Sequence, residues 1–175
     1  MRATSEATVP IQASGGDFEL LFRENYSAVV RHAQRVTGNL AEAEELASEA
    51  FVKLMRERQQ IRDRVGWLKK CVLFMALDRL RANERRDNRE RRAAPPNHPG
   101  NPESDAILQQ RQRQVRQVLS SLSTQDAVLL LARADGASYQ EAAELAGIRV
   151  TSTGAKLARA ERRFKERYEE MYGDI

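Results

Sequence analysis

Apolar residues recur at helical spacing along most of the chain, and no stretch alternates in the manner of a half-buried strand. Phe18, Leu21, Phe22, Tyr26, Val29, Val30, Ala33 and Val36 share one face of a first helix, which Asp17 can cap and Gly38 ends. Leu46, Ala50, Phe51, Leu54 and Met55 form the stripe of a second helix. Asn39 opens it, with Glu42 three residues on to complete a capping pair. Residues 59–66 are a polar connection. A third helix, from Val65 or Trp67 to about Arg86, is apolar nearly all round in its first half. Such a helix belongs at the centre of a bundle.

Residues 93–102 hold four of the five prolines and no apolar period, which predicts a linker. After it, Ile107, Leu108, Val115, Val118, Leu119 and Leu122 lie on one helical face. Ser123 and Asp126 restart a helix that Gly136 ends. Ser138 and Glu141 then read as a capping box, Ala142, Ala143, Leu145 and Ala146 as a small apolar face, and Gly147 as a left-handed helix stop. A last helix begins near Val150, runs to about Met171, and carries Lys156, Arg159, Arg162, Arg163 and Lys165. Small residues, a glycine turn and a basic second helix suit a helix-turn-helix that enters the DNA major groove. They also suit an ordinary helical hairpin with a solvated basic face. The expected fold is all-α, with two small helical domains. A flexible tail covers 1–16, a three-helix bundle 17–92, a flexible Pro-rich linker 93–103, and a four-helix domain with the helix-turn-helix 104–172.

Charge adds direction to this pattern. The 175 residues carry a formal net charge of +4, which permits a polyanionic partner. Residues 40–51 contain Glu42, Glu44, Glu45 and Glu49 and no base. That is either dipole complementarity with a wet face or a dock for a basic partner. Residues 81–92 contain six arginines against three acids, either a solvated helix end or a phosphate-binding stripe. Cys71 is the one cysteine, so no intramolecular disulfide forms and a cytoplasmic setting is the default. Residues 1–16 lack the apolar core of a leader, and the longest apolar run, 71–77, is too short for membrane insertion. His32 and His98 make no metal-ligand pattern, and there is no phosphate-binding loop or nucleophile elbow. The expectation is no enzyme, no cofactor and no metal.

Four motifs in order resemble the extracytoplasmic-function class of bacterial sigma factors, in the sigma-70 family. They are the run 45–54 (ELASEAFVKL), Trp67-Leu68 followed by Asp78 and Arg81, the Pro-rich linker, and 136–160. The resemblance spans 18–168. It implies a non-enzymatic factor that binds core RNA polymerase and directs transcription initiation at promoters with −10 and −35 elements. An anti-sigma factor is the implied regulatory partner. A stand-alone helix-turn-helix regulator is the alternative, but it leaves the acidic second helix and the Arg-rich third helix unexplained.

Carried over by position, the resemblance assigns Glu45, Ser48, Glu49 and Lys53 to core polymerase. It assigns Arg62, Asp63, Arg64, Trp67, Phe74, Asp78, Arg79, Arg81 and Arg85 to the −10 element, where opened bases stack on aromatics and arginines hold phosphates. It assigns Arg149, Thr151, Ser152, Thr153, Lys156, Arg159 and Arg163 to the −35 duplex. The chain departs from the commoner pattern at Phe74, where many members have Asn, and at Gly154, where Lys or Arg is frequent. At Arg149 it lacks the usual capping Ser or Thr, leaving Thr151 as a substitute cap.

Overall fold

In the computed structural model, which describes residues 15–57, 61–93 and 104–173, every regular element is helical. The order is α1 (Gly15–Thr37), α2 (Leu40–Arg56), α3 (Arg64–Ala93), α4 (Ser104–Ser121), α5 (Thr124–Ala134), α6 (Tyr139–Ala146), a 3₁₀ turn (Val150–Ser152) and α7 (Thr153–Tyr172). The tail 1–14 and linker residues 94–103 lie outside the described residues.

The first three helices pack around an aromatic knot. Phe18, Phe22 and Tyr26 of α1 meet Phe51 of α2, with ring centroids 6.1, 4.9 and 6.1 Å away. Leu68, Val72, Leu73, Ala76 and Leu77 bury the first half of α3. The second group is built on α5, whose Ala127, Val128, Leu129 and Ala132 are buried. Ala142, Ala143 and Ala146 of α6 and Leu157 and Ala160 of α7 are buried there too. Each buried Leu or Val contributes about 1.5–3 kcal/mol relative to exposure. α4 lies along the end of α7, where Tyr168 Oη donates to Gln114 Oε1 at 3.0 Å and Tyr172 Oη reaches Gln117 Oε1. α3 also packs against α4, α5 and α6, so one apolar cluster runs through both groups of helices.

Local signals set most helix ends. Asn39, Ser123 and Ser138 accept hydrogen bonds from Glu42, Asp126 and Glu141 backbone N–H groups. Gly147 stops α6 at φ +66°, a left-handed geometry that glycine adopts without strain. Four expectations are corrected. α1 begins at Gly15, placing Asp17 in its first turn. Glu42 does not close a capping box, because its carboxylate takes Asn83 Nδ2 of α3 at 3.2 Å. α3 continues to Ala93, as its Arg, Asn, Glu and Asp residues all tolerate a helix and Arg86 faces Glu90 one turn on. Thr151 does not cap the last helix. A 3₁₀ turn intervenes, and Ser152 Oγ and Thr153 Oγ1 both donate to the Arg149 carbonyl.

Candidate nucleic-acid interface

The polymerase-binding candidates come together. Glu45, Ser48, Glu49 and Lys53 recur at helical spacing on one exposed face of α2. All four are tied to neighbours, Ser48 through its hydroxyl to Tyr26 Oη at 3.3 Å. Arg79 of α3 donates to Glu45 through both terminal nitrogens, at 3.2 and 3.4 Å. That hydrogen-bonded carboxylate raises the Arg79 pKa above its ordinary value. Lys53 pairs with Glu49 at 3.1 Å and touches Met75 Sδ.

The −10 candidates divide. Arg62 and Asp63 are exposed at the corner before α3, with Arg64, Gly66 and Trp67 in its first turn. Asp63 is the helix cap, accepting from Gly66 N–H at 2.8 Å through Oδ1. A side chain at position 66 would press on that carboxylate, because a Cβ there would sit 2.0 Å from Asp63 Oδ2. Trp67 is half-buried against the core, with its helix turn opening onto a cleft of about 570 Å³. Phe74 also packs on the core. Further along α3, Arg79 and Arg81 are two positions and so about 200° apart around the helix. Arg79 turns to α2, whereas Arg81 turns to the α4–α5 junction. Of the two arginines assigned to backbone phosphates, each thus lies on its own face of α3. Asp78 and Arg85 are exposed beside them, with Asp78 3.6 Å from Arg81.

The −35 candidates divide as well. Arg149, Thr151 and Arg159 are exposed around the start of α7. Ser152 is half-buried with its hydroxyl used locally. Thr153 is fully buried, so it does not face a groove; its hydroxyl donates to the Arg149 carbonyl. Lys156 Nζ donates to Gln125 Oε1 of α5 at 2.9 Å, and Arg163 donates to the buried Asp126 carboxylate at 2.8 Å. Those two cations brace α7 on α5. Gly154 lies against the Tyr139 ring, where an added Cβ would stand 3.6 Å from Cε2.

Several polar residues escape a sequence reading. Asp135, in the turn after α5, receives an ion pair from Arg35 of α1, and its Oδ2 lies 2.5 Å from His32 Nδ1. The His32 nitrogen is buried and lacks an aligned hydrogen bond despite that proximity. Burial, then the charges of Lys69, Arg35 and Arg31, lower the His32 pKa to about 4, so the ring is neutral at pH 7. Lys69 and Lys70 line the cleft beside Trp67. Their only sequence signal is a polar pair at the start of an apolar run. Cys71 is half-buried and burial raises its pKa, which suits a packing role. Among the described residues no cluster of His, Cys, Asp and Glu could hold a metal, and no helix is long and apolar enough to cross a membrane.

Residues 21–86, from α1 through most of α3, match the family described as Sigma-70 region 2. A curated relative, the ECF RNA polymerase sigma factor SigE of Mycolicibacterium smegmatis, is 26% identical over 164 residues, covering 89% of this chain. The chain spans 63% of the length of that relative. The fold is similar to the sigma factor RpoE of Bartonella quintana, solved in complex with the anti-sigma factor NepR. The TM-score is 0.50 at 19% identity, covering 87% of this chain and 97% of that one. The first three helices are thus similar to Sigma-70 region 2, and most of the chain's length aligns with a curated extracytoplasmic-function sigma factor.

Proposed function

We propose that this protein is a sigma factor of the extracytoplasmic-function group: it binds core RNA polymerase and directs initiation at promoters with −10 and −35 elements. The observation that carries this reading is the pairing, in one chain, of a region 2 bundle with a capped helix-turn-helix. The exposed acidic face of α2 suits a basic polymerase surface. Arg62, Arg64 and Trp67 at the start of α3 suit an opened −10 strand, through phosphate contacts and base stacking. Arg149, Thr151 and Arg159 suit the −35 groove. Lys156 and Arg163, held by α5, position that helix and join the phosphate contacts only by releasing Gln125 and Asp126.

The protein performs no chemistry itself, because the polymerase makes the bonds. A cytoplasmic location follows from that partner. The complexed Bartonella relative supports an anti-sigma factor as a regulatory partner here too. The test is in vitro transcription on a genomic library with and without purified core polymerase. The expected result is defined start sites that need both proteins. Failure to associate with core, together with a dimeric footprint by the free protein on a palindrome, would establish a stand-alone regulator instead.

A further inference from the structure

Between the end of α1 and the middle of α4 lies a groove of about 580 Å³ that belongs to none of the surfaces described above. Arg31, Gln34 and Arg35 line one side and Arg111, Gln112 and Arg116 the other; among the described residues no carboxylate lines it. From the rise of a helix, the arginines stand about 6 Å apart along α1 and about 7.5 Å apart along α4. Arg35 is engaged by Asp135 in the turn after α5. Arg31, Arg111 and Arg116 have neither a side-chain hydrogen bond nor an ion pair among the described residues. Arg116 is half-buried. Its guanidinium lies against Gly38, where an added Cβ would stand 2.6 Å from Cζ and Nη1. Burial, then the charge of Arg113, push its pKa below the ordinary value, with Glu84 pulling the other way. The Glu84 carboxylate is already taken by Gln117 Nε2 at 3.1 Å. A guanidinium drawn partly out of water, beside other cations and without an acceptor, is costly, and a bound anion removes that cost. A merely solvated arginine face would leave Arg116 in water rather than packed on Gly38.

We infer that this groove is an anion site for a chain of linked phosphates, either an inorganic oligophosphate or the phosphate tail of a nucleotide. Arginine forks donate in pairs to phosphate oxygens, and Gln34 and Gln112 add neutral donors. The volume is that of a small-molecule pocket. A single phosphate reaches one wall, whereas linked phosphates reach both. An acidic peptide would need several residues to bring the same charge. Val115 is the one large apolar side chain, among the described residues, that lines the groove to hold their aliphatic parts. None of these residues belongs to the surfaces assigned to polymerase or promoter, so the site stands apart from the sigma-factor reading. A ligand that binds only the folded chain also stabilises it.

The test uses the full chain without polymerase, at an ionic strength of about 0.15 M. Isothermal titration measures binding of inorganic triphosphate, ATP, orthophosphate, tetraglutamate and a short single-stranded oligodeoxynucleotide. Triphosphate should bind and raise the melting temperature, while orthophosphate and tetraglutamate should bind at least about tenfold more weakly. ATP binding no tighter than triphosphate assigns the phosphate chain alone; tighter ATP binding assigns a nucleotide. Arg31→Gln with Arg111→Gln removes two exposed cations of the groove and should weaken triphosphate binding about tenfold. The charge-matched pair Arg23→Gln with Arg89→Gln, exposed and outside the groove, should change it by less than about twofold. Arg116→Lys keeps the charge but loses the planar fork, and should weaken binding about fivefold. No triphosphate binding by the wild type, equal losses in the two pairs, or an unchanged Arg116→Lys protein overturns the inference. Tetraglutamate or the oligonucleotide binding more tightly than triphosphate overturns it too, and makes the groove a peptide or nucleic-acid surface. Any of these failures leaves the sigma-factor reading standing, because polymerase-dependent transcription tests that reading separately.

Discussion

Arg163 separates a structural cation from a DNA-reading one. Its guanidinium meets Asp126 at 2.8 Å. Asp126 is 6% exposed, and its own backbone N–H is taken by the Ser123 cap of α5. A hydrogen bond to a charged group contributes about 1.5–3 kcal/mol, and a surface pair about 0–1. This pair has one end buried and the other, at 56% side-chain exposure, half in water, so solvent screening puts it near ~1.5 kcal/mol. For a unit of this size, each kcal/mol moves the melting temperature by about 2–4 °C, which makes Arg163→Ala about 3–6 °C less stable. Arg159, whose Nε donates only to its own helix at Ala155, should change stability by less than about 0.5 kcal/mol when replaced by Ala. Thermal melts of both variants, with a double-mutant cycle pairing Arg163→Ala with Asp126→Asn, give the assay. The expected coupling is roughly 1.5 kcal/mol. Equal melting temperatures for Arg163→Ala and Arg159→Ala, with coupling under about 0.5 kcal/mol, would refute the bracing role.

Three further outcomes follow from the same geometry. Gly147→Ala should cost about 1–2 kcal/mol in thermal melts. The residue sits at φ +66° and an added Cβ would meet nothing closer than Lys70 Nζ at 3.7 Å, so backbone strain is the whole effect. Glu141 is held below its ordinary carboxyl value by Ser138, so its capping contribution is complete above about 4.5, the unfolded value, and fades as pH falls through the lower folded value. Melts between pH 7 and 3 should show this acid loss in the wild type and not in Glu141→Gln. Reversing Glu45 and Glu49 to Arg should weaken polymerase assembly on native gels by several kcal/mol, since like charges would then face each other; unchanged assembly would move the dock off α2.

Helix positions and their caps were readable because their causes lie within a few residues. Asn39, Ser123 and Ser138 accept from the backbone three residues ahead, and Gly147 turns left-handed at its own φ. The apolar period located the buried faces of α1 and α2 for the same reason, except that Met55, read as the end of the α2 stripe, is exposed where the helix runs past the core. The family motifs added which surfaces to compare. None of this told where a cation points. Arg79 and Arg81 look alike in sequence, yet one meets Glu45 of α2 and the other the end of α4. Thr153 and Thr151 look alike, yet only Thr153 is buried. The Asp135 contacts with His32 and Arg35 join residues about a hundred positions apart, and no local pattern encodes them. Long side chains choose partners by how the helices cross and which groups desolvate together. That choice exists only once α4–α7 is packed against α1 and α3, so the chain's order fixed its helices and the docking of those helices fixed which charges are left for other molecules.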